Sequence, residues 1–270
     1  MPTPSISLNH ATYQKAEFVE RYRKAQDLFP AEEKIFHDCK RQFGGNVLDI
    51  AIGMGRTTRA LLGRAKRYVG LDFSRVMADA ARGIFPAADI RTLDMRDVPR
   101  EFAADRFDAI LISYNGLDYI SWEDRCVLLK ALRPLLSLDG VLVFSTHDLD
   151  DSVRASGFHL RPDLAKSWET AYHPRAFARL LLRLPPWLLK AGRNRRRNRR
   201  LQKTMDGYSY LNDSGEDYGL ITVYVSTPKQ IAVLEASGFR NIEVLQPWLR
   251  TEQESFNYFI CRAGLAPASS

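Results

Sequence analysis

Between Arg41 and Thr146 the chain repeats one pattern: a short β-branched apolar run, a polar turn, then apolar positions at helical spacing. Asn46-Val-Leu-Asp-Ile-Ala-Ile52 predicts a buried strand, with a helix from Thr57 to Arg67 after it. Arg67-Tyr-Val-Gly-Leu-Asp72 predicts a second strand, followed by a helix from Ser74 to Gly83. Ala88 to Leu93 reads as a third strand and Phe107 to Ser113 as a fourth. A helix from Trp122 to Leu136 precedes a fifth, Val141 to Thr146. Strands alternating with helices imply right-handed βαβ crossovers and a mostly parallel sheet covered on both faces. The near-continuous apolar runs agree, because such strands are buried on both sides.

The rhythm breaks after Thr146. Residues from His147 to Tyr218 hold Pro162, Pro174, the Pro185-Pro186 pair and an arginine cluster, around one apolar helical stretch from Phe177 to Leu184. The α/β pattern resumes with Leu220-Ile-Thr-Val-Tyr-Val225, a helix from Pro228 to Ser237, and strands near Asn241 to Leu245 and Phe256 to Cys261. Proline in the first turn and Gly238 just past the end suit that helix. The division expected is a helical cap over 1–40, an α/β core over 41–147, an insertion over 148–218, completion of the core over 219–263 and a tail over 264–270.

Composition is that of a globular protein, with 45% hydrophobic and 26% charged residues in 270. No run reaches the roughly 18 apolar residues of a membrane span, and no secretory leader is visible, so a cytoplasmic protein is expected. Cys39, Cys126 and Cys261 lie far apart without metal-ligand spacing. They suit buried thiols better than disulfides or zinc. No His/Asp/Glu cluster has metal spacing either, so no metal site is expected. The net charge of +7 is local: Lys190 to Lys203 carries eight basic and no acidic residues, and +7 − 8 leaves −1 for the rest.

The most informative segment is Val47-Leu-Asp-Ile-Ala-Ile-Gly-Met-Gly-Arg-Thr-Thr58, a strand running into a small-residue turn and then a helix. Gly53 and Gly55 permit backbone angles closed to other residues and a close ligand approach. A glycine pair alone also makes an ordinary strand–helix turn. Here, however, Asp49, Asp72 and Asp94 close three successive strands. Ligands of open α/β sheets bind outside the carboxyl ends of the strands, and Asp72 falls 19 residues after Gly53, the spacing of a ribose-binding carboxylate.

In these residues the chain resembles the class I S-adenosylmethionine-dependent methyltransferases, strongly over 40–147 and more loosely over 218–263. The resemblance implies a Rossmann-like, seven-stranded, mostly parallel sheet with helices on both faces, N-terminal helices and an insertion after strand five. Asp49 to Gly55 match the family's acid and glycine-rich turn, except that Ala51 stands where a glycine is common. Asp72, with Phe73 beside it, matches the ribose-binding acid. Met77 matches the position near the adenine, and Asp94 with Met95 the acid that meets the adenine amino group. Asp108 to Asn115 match the strand-four segment, which brings Ser113 to the site; Arg56 and Thr58 complete the implied S-adenosylmethionine-binding set. A nicotinamide-dependent dehydrogenase would need glycine where Thr58 stands, and a pyrophosphate would not tolerate Asp49 near the helix N-terminus.

Methyl transfer depends largely on positioning, and a hydroxyl acceptor also benefits from a general base. His147, after strand five, is the candidate base, because an unperturbed imidazole titrates near neutrality. Tyr114 and Asn115, after strand four, are candidates for orienting the acceptor. The favoured acceptor is a small metabolite, sugar or glycolipid; RNA or protein methylation, or cofactor binding without catalysis, are the alternatives. The run Arg193-Asn-Arg-Arg-Arg-Asn-Arg-Arg200, beside Leu180 to Leu189, fits a solvated loop, contact with the anionic inner membrane surface, or a less favoured nucleic-acid contact.

Overall fold

The computed structural model describes residues 4–14, 22, 27–151, 174–213, 217–246 and 256–263. The middle of the expected insertion, 152–173, and the tail, 264–270, lie outside the described residues.

Helices α1 (Pro4–Tyr13), α2 (Pro30–Asp38) and α3 (Lys40–Phe43) precede the sheet. The repeating unit then follows as β1 (Asn46–Ile50), α4 (Arg56–Leu61), β2 (Arg67–Asp72), α5 (Arg75–Ile84), β3 (Asp89–Thr92) and α6 (Val98–Glu101). It continues through β4 (Phe107–Ile112), α7 (Trp122–Leu132) and β5 (Leu136–Asp148). The strands lie parallel in the order β3-β2-β1-β4-β5, so the chain reverses its winding between β1 and β4. Helix starts are fixed locally: the Ser74 hydroxyl accepts from Met77 N, and the Ser121 hydroxyl accepts from Asp124 N.

Both faces of the sheet are dry. Leu48, Ile50, Ile110, Ile112, Leu142 and Phe144 pack on one side with Leu128, Leu129 and Leu132 of α7. Val47, Ala109, Leu111, Val141 and Val143 pack on the other with Ile35 and Phe36 of α2. This is the period-two alternation of a strand with apolar residues on both faces. Cys39 and Cys261 are buried free thiols.

The remaining elements are α8 (Pro174–Asn198), β6 (Lys203–Met205), β7 (Tyr208–Asp213), β8 (Leu220–Val225), α9 (Thr227–Ala236), β9 (Phe239–Leu245) and β10 (Phe256–Ala263). β10 runs antiparallel to β5, and β9 antiparallel to β10, completing a core of seven strands. The whole sheet has ten strands rather than seven. The three extra lie in the insertion and just after it: β6, β7 and β8 form an antiparallel meander. The pattern had assigned Leu220–Val225 to the returning core. Instead, β8 pairs along its length with β7 and touches β5 only at His147 and Asp148. Its six residues are all buried, and an apolar run carries no mark of which partner it joins. β8 takes the edge of β5 beyond Phe144, where β4 ends, and so hangs the meander over the carboxyl ends of β1 and β4.

The arginine run is not a loop. It forms the last turns of the 25-residue helix α8, which runs through Pro185 and Pro186, and the short turn Arg199–Leu201 after it.

Candidate functional site

After β1 the backbone enters a left-handed turn, with φ of 60° at Ala51, 55° at Gly53 and 85° at Gly55. Ala51 bears the steric cost that a glycine would avoid. Its methyl group has room because residue 116 is glycine: a Cβ on Gly116 would lie 2.8 Å from the Ala51 Cβ. A Cβ on Gly55 would strike the Phe85 ring at 2.6 Å.

Asp72, at the end of β2, faces this turn. One carboxylate oxygen accepts from Gly53 N at 2.8 Å and the other from Ser74 N at 2.8 Å. The side chain is buried, and burial pushes its pKa up to about 6 against the pull of these two N–H groups. Asp94, after β3, caps the following turn and holds Arg96 through contacts of 3.0 and 2.8 Å.

A cavity opens between these strand ends. Ala51, Gly53, Asp72, Phe73, Met77, Asp94, Met95 and Ser113, all expected at a cofactor site, line it. So does Tyr114. The described lining contains two carboxylates, Asp72 and Asp94, and no lysine, arginine or histidine.

Four members of the expected set stand elsewhere. Asp49 is wholly buried beneath the turn, where one oxygen accepts from the Thr57 hydroxyl at 2.7 Å and the Tyr68 hydroxyl at 2.9 Å. Burial pushes its pKa up to about 7. Thr58 is also buried and shares a 2.6 Å contact with the Tyr68 hydroxyl, so it faces the core and not the cavity. Gly55 is the left-handed entry to α4. Arg56 lines the neighbouring cleft, sandwiched against the Phe29 and Tyr114 rings, and pairs with the buried carboxylate of Glu32. These residues shape the turn, because its tight backbone needs polar support from below.

The cavity also has walls that no sequence motif marked. Asn9 and Tyr13 of α1, Tyr22, Tyr119 and Ile120 line it. Asn9 behaves as an extra strand residue: its amide donates to Ile221 O at 2.8 Å and its oxygen accepts from Ile221 N at 3.1 Å. That pairing ties α1 to β8. Tyr13 meets Phe73 and Tyr119 edge-on at 5.9 and 5.1 Å.

Tyr114 and Asn115 both have left-handed backbones, at φ of 52° and 59°. Two such residues in succession store strain that the surrounding contacts must hold. Asn115 N donates to the Ser145 hydroxyl at 2.8 Å, and Tyr114 stacks on Phe29 at 5.5 Å. Asn115 Nδ2 lies 3.3 Å from His147 Nε2.

His147 bonds Asp118. Asp118 Oδ2 accepts from His147 N at 2.8 Å and meets Nδ1 at 2.7 Å. The other oxygen of Asp118 accepts from Thr146 Oγ1 at 2.6 Å and from Arg125 at 2.8 Å. A carboxylate that only accepts requires the proton on Nδ1, which leaves the Nε2 lone pair toward Asn115. Asp118 and Arg125 are fully buried, and Arg125 gives Asp118 the ionic partner that a buried charge needs. Asp118 follows Asn115 by three positions, and nothing in its spacing announces a bond to residue 147. His147 stands behind Asn115 and is not part of the cavity's described lining.

A doubly wound sheet, a left-handed glycine turn after β1 and an acid closing β2 define a Rossmann-like nucleoside-binding site at the topological switch point. The comparisons narrow this. A family model described as a methyltransferase domain matches residues 47–140. An uncharacterized methyltransferase of Bacillus mycoides is 23% identical over 169 residues, covering 56% of this chain and 72% of the relative. The solved DhpI–SAH complex superimposes with a TM-score of 0.55 at 18% identity, over 98% of this chain and 100% of that one. CalS10, an amino pentose methyltransferase from Micromonospora echinaspora solved with SAM bound, gives 0.53 at 14% identity, over 92% and 97%. Over residues 47–140 the chain is thus similar to methyltransferase domains, and its fold is that of solved S-adenosylmethionine-dependent methyltransferases.

Proposed function

We propose that the protein binds S-adenosylmethionine in the cavity between the ends of β1, β2 and β4 and methylates an oxygen or nitrogen of a small metabolite, sugar or glycolipid. The observation that carries the reading is the charge of the cavity: its described lining offers carboxylates and no cation. That suits a ligand with a sulfonium and an ammonium, and it opposes a pyrophosphate. Asp72 keeps lone pairs beyond its two backbone bonds for ribose hydroxyls. Phe73, Met77 and Met95 supply an apolar slot for the adenine, with Asp94 at its polar edge. Once bound, the cofactor supplies an electrophilic methyl group.

The protein's own part is orientation and proton removal. Asp118 holds the proton on His147 Nδ1, and the Nε2 lone pair, which Asn115 Nδ2 now meets at 3.3 Å, takes the acceptor's proton once the acceptor displaces that contact. Tyr114, half-exposed at the rim, orients the acceptor. Closure of the cavity by Asn9, Tyr13 and Tyr119 favours a compact acceptor over a folded macromolecule. The solved amino pentose methyltransferase of the same fold is in keeping with a sugar.

Transfer of labelled methyl from S-adenosylmethionine to panels of amino sugars, sugars and small amines tests the reading. Activity on one panel, reduced about 10²–10⁴-fold in His147→Ala, is the expected result. Label entering only RNA or protein would overturn the small-acceptor reading.

A further inference from the structure

Helix α8 sorts its residues into two faces, and the methyl-transfer reading uses neither. Trp187, Ala191, Asn194 and Asn198 recur every three or four positions and turn inward. Trp187 and Ala191 are buried against Tyr218, and the indole N–H donates to Asp217 Oδ1 at 3.0 Å. Asn194 donates to Asp217 O at 2.9 Å and Asn198 to Tyr218 O at 3.0 Å. This face holds the helix on the protein.

The opposite face is exposed and itself divided. At about 100° per residue, positions 182, 185, 186, 189, 193, 196 and 197 fall in one strip along the helix. Its first half is apolar: Leu182 and Leu189 are 76% and 72% exposed, with Pro185 and Pro186 exposed between them. Its second half is basic: Arg193, Arg196 and Arg197 are exposed, and the row continues to Arg200 in the short turn Arg199–Leu201. Among the described residues none of these four arginines forms an ion pair. Off the strip, Lys190 pairs with Asp217 at 3.0 Å and Arg195 lies over the Tyr218 ring at 5.0 Å. The net charge outside Lys190–Lys203 is −1, so the protein's positive charge is confined to this segment, and four of its eight basic residues lie on the strip.

We propose that this strip is a docking surface for an anionic lipid bilayer. A bilayer interface presents phosphates and, a few ångströms deeper, an apolar boundary, so it satisfies both halves of the strip at once. A nucleic acid would satisfy the arginines but leave Leu182 and Leu189 against water, and the strip offers no exposed aromatic ring on which a base could stack.

Co-sedimentation of the full chain with vesicles tests this, using phosphatidylcholine alone and equal parts phosphatidylcholine and phosphatidylglycerol. The wild type should bind only the phosphatidylglycerol vesicles, and rising salt should release it. A variant carrying R193Q, R196Q, R197Q and R200Q should bind several hundredfold more weakly, at roughly fivefold per arginine. L182S with L189S should bind about tenfold more weakly. All six positions are exposed, and unchanged circular dichroism and S-adenosylmethionine binding verify that both variants remain folded. Failure of the wild type to sediment with phosphatidylglycerol vesicles at low salt overturns the proposal. So does wild-type behaviour of the leucine variant combined with salt-dependent binding of a single-stranded RNA, which would make the strip a nucleic-acid surface.

Discussion

Ala51 shows how one residue can depart from a family's turn without losing it. It adopts φ of 60°, where a Cβ costs about 1–2 kcal/mol, and Gly116 leaves the space its methyl group occupies. Ala51→Gly should therefore stabilise the fold by about 1 kcal/mol or less, once the greater freedom of glycine in the unfolded chain is set against the relieved strain. Gly116→Ala should destabilise it, and adding Ala51→Gly should recover part of that loss. Urea unfolding of the three variants would show non-additivity; strictly additive effects would contradict the contact.

Asp72 and Asp49 couple the same turn to pH. Burial raises both pKa values, to about 6 and about 7, so the folded protein holds protons that the unfolded chain has already released above about pH 4. Stability should accordingly fall as pH rises from about 4 to about 7, and Asp49→Asn should flatten that slope. Ribose recognition needs the ionised carboxylate, so S-adenosylmethionine affinity should move the other way and rise through about pH 6. Asp72→Asn should weaken binding by about 1–3 kcal/mol and abolish its pH dependence. Titrations at several pH values check both; a pH-dependent Asp72→Asn variant would contradict the assignment. Removing Asp118 should be costlier to the fold, because Arg125 would be left charged and buried: Asp118→Ala should lose about 3–5 kcal/mol in denaturant unfolding.

At the scale of elements, strands buried on both faces were legible because their apolar runs are continuous and bounded by turns. β2 spans Arg67–Asp72, the residues read from the pattern. β8 shows where pattern reading stops. Its composition suits a place in the core or in the meander, and its partner is decided by Asn9, Asn212 and the edge of β5 that β4 leaves open. The helical state of the arginine run was hidden for a related reason. Six arginines in eight residues have no apolar periodicity, and the helix is held by the inward Trp187, Asn194 and Asn198 meeting Asp217 and Tyr218. Asp217→Ala removes the partners of Trp187 and Lys190 together. Amide exchange should then quicken across 184–198 while β1 to β5 stay protected. Unchanged protection in α8 would show that Asp217 does not anchor it.

Across the whole molecule, the glycine turn and the three strand-end acids pointed to one end of the sheet, and the cavity gathers most of the residues expected there. What the sequence could not show is the far wall of that cavity. Asn9 and Tyr13 meet Tyr119 there across more than a hundred positions, and such pairings leave no local signature. Nor could spacing pair His147 with Asp118, since the bond forms only when β5 passes the turn after β4. The central claim is that this cavity receives a methyl donor, and isothermal titration of the purified chain tests it most directly. S-adenosylmethionine and S-adenosylhomocysteine should each bind at one site with affinity in the micromolar range, about −8 kcal/mol, and NAD(H) should give no heat. Silence with both methyl-donor ligands, or binding of NAD(H) in their place, would contradict the account.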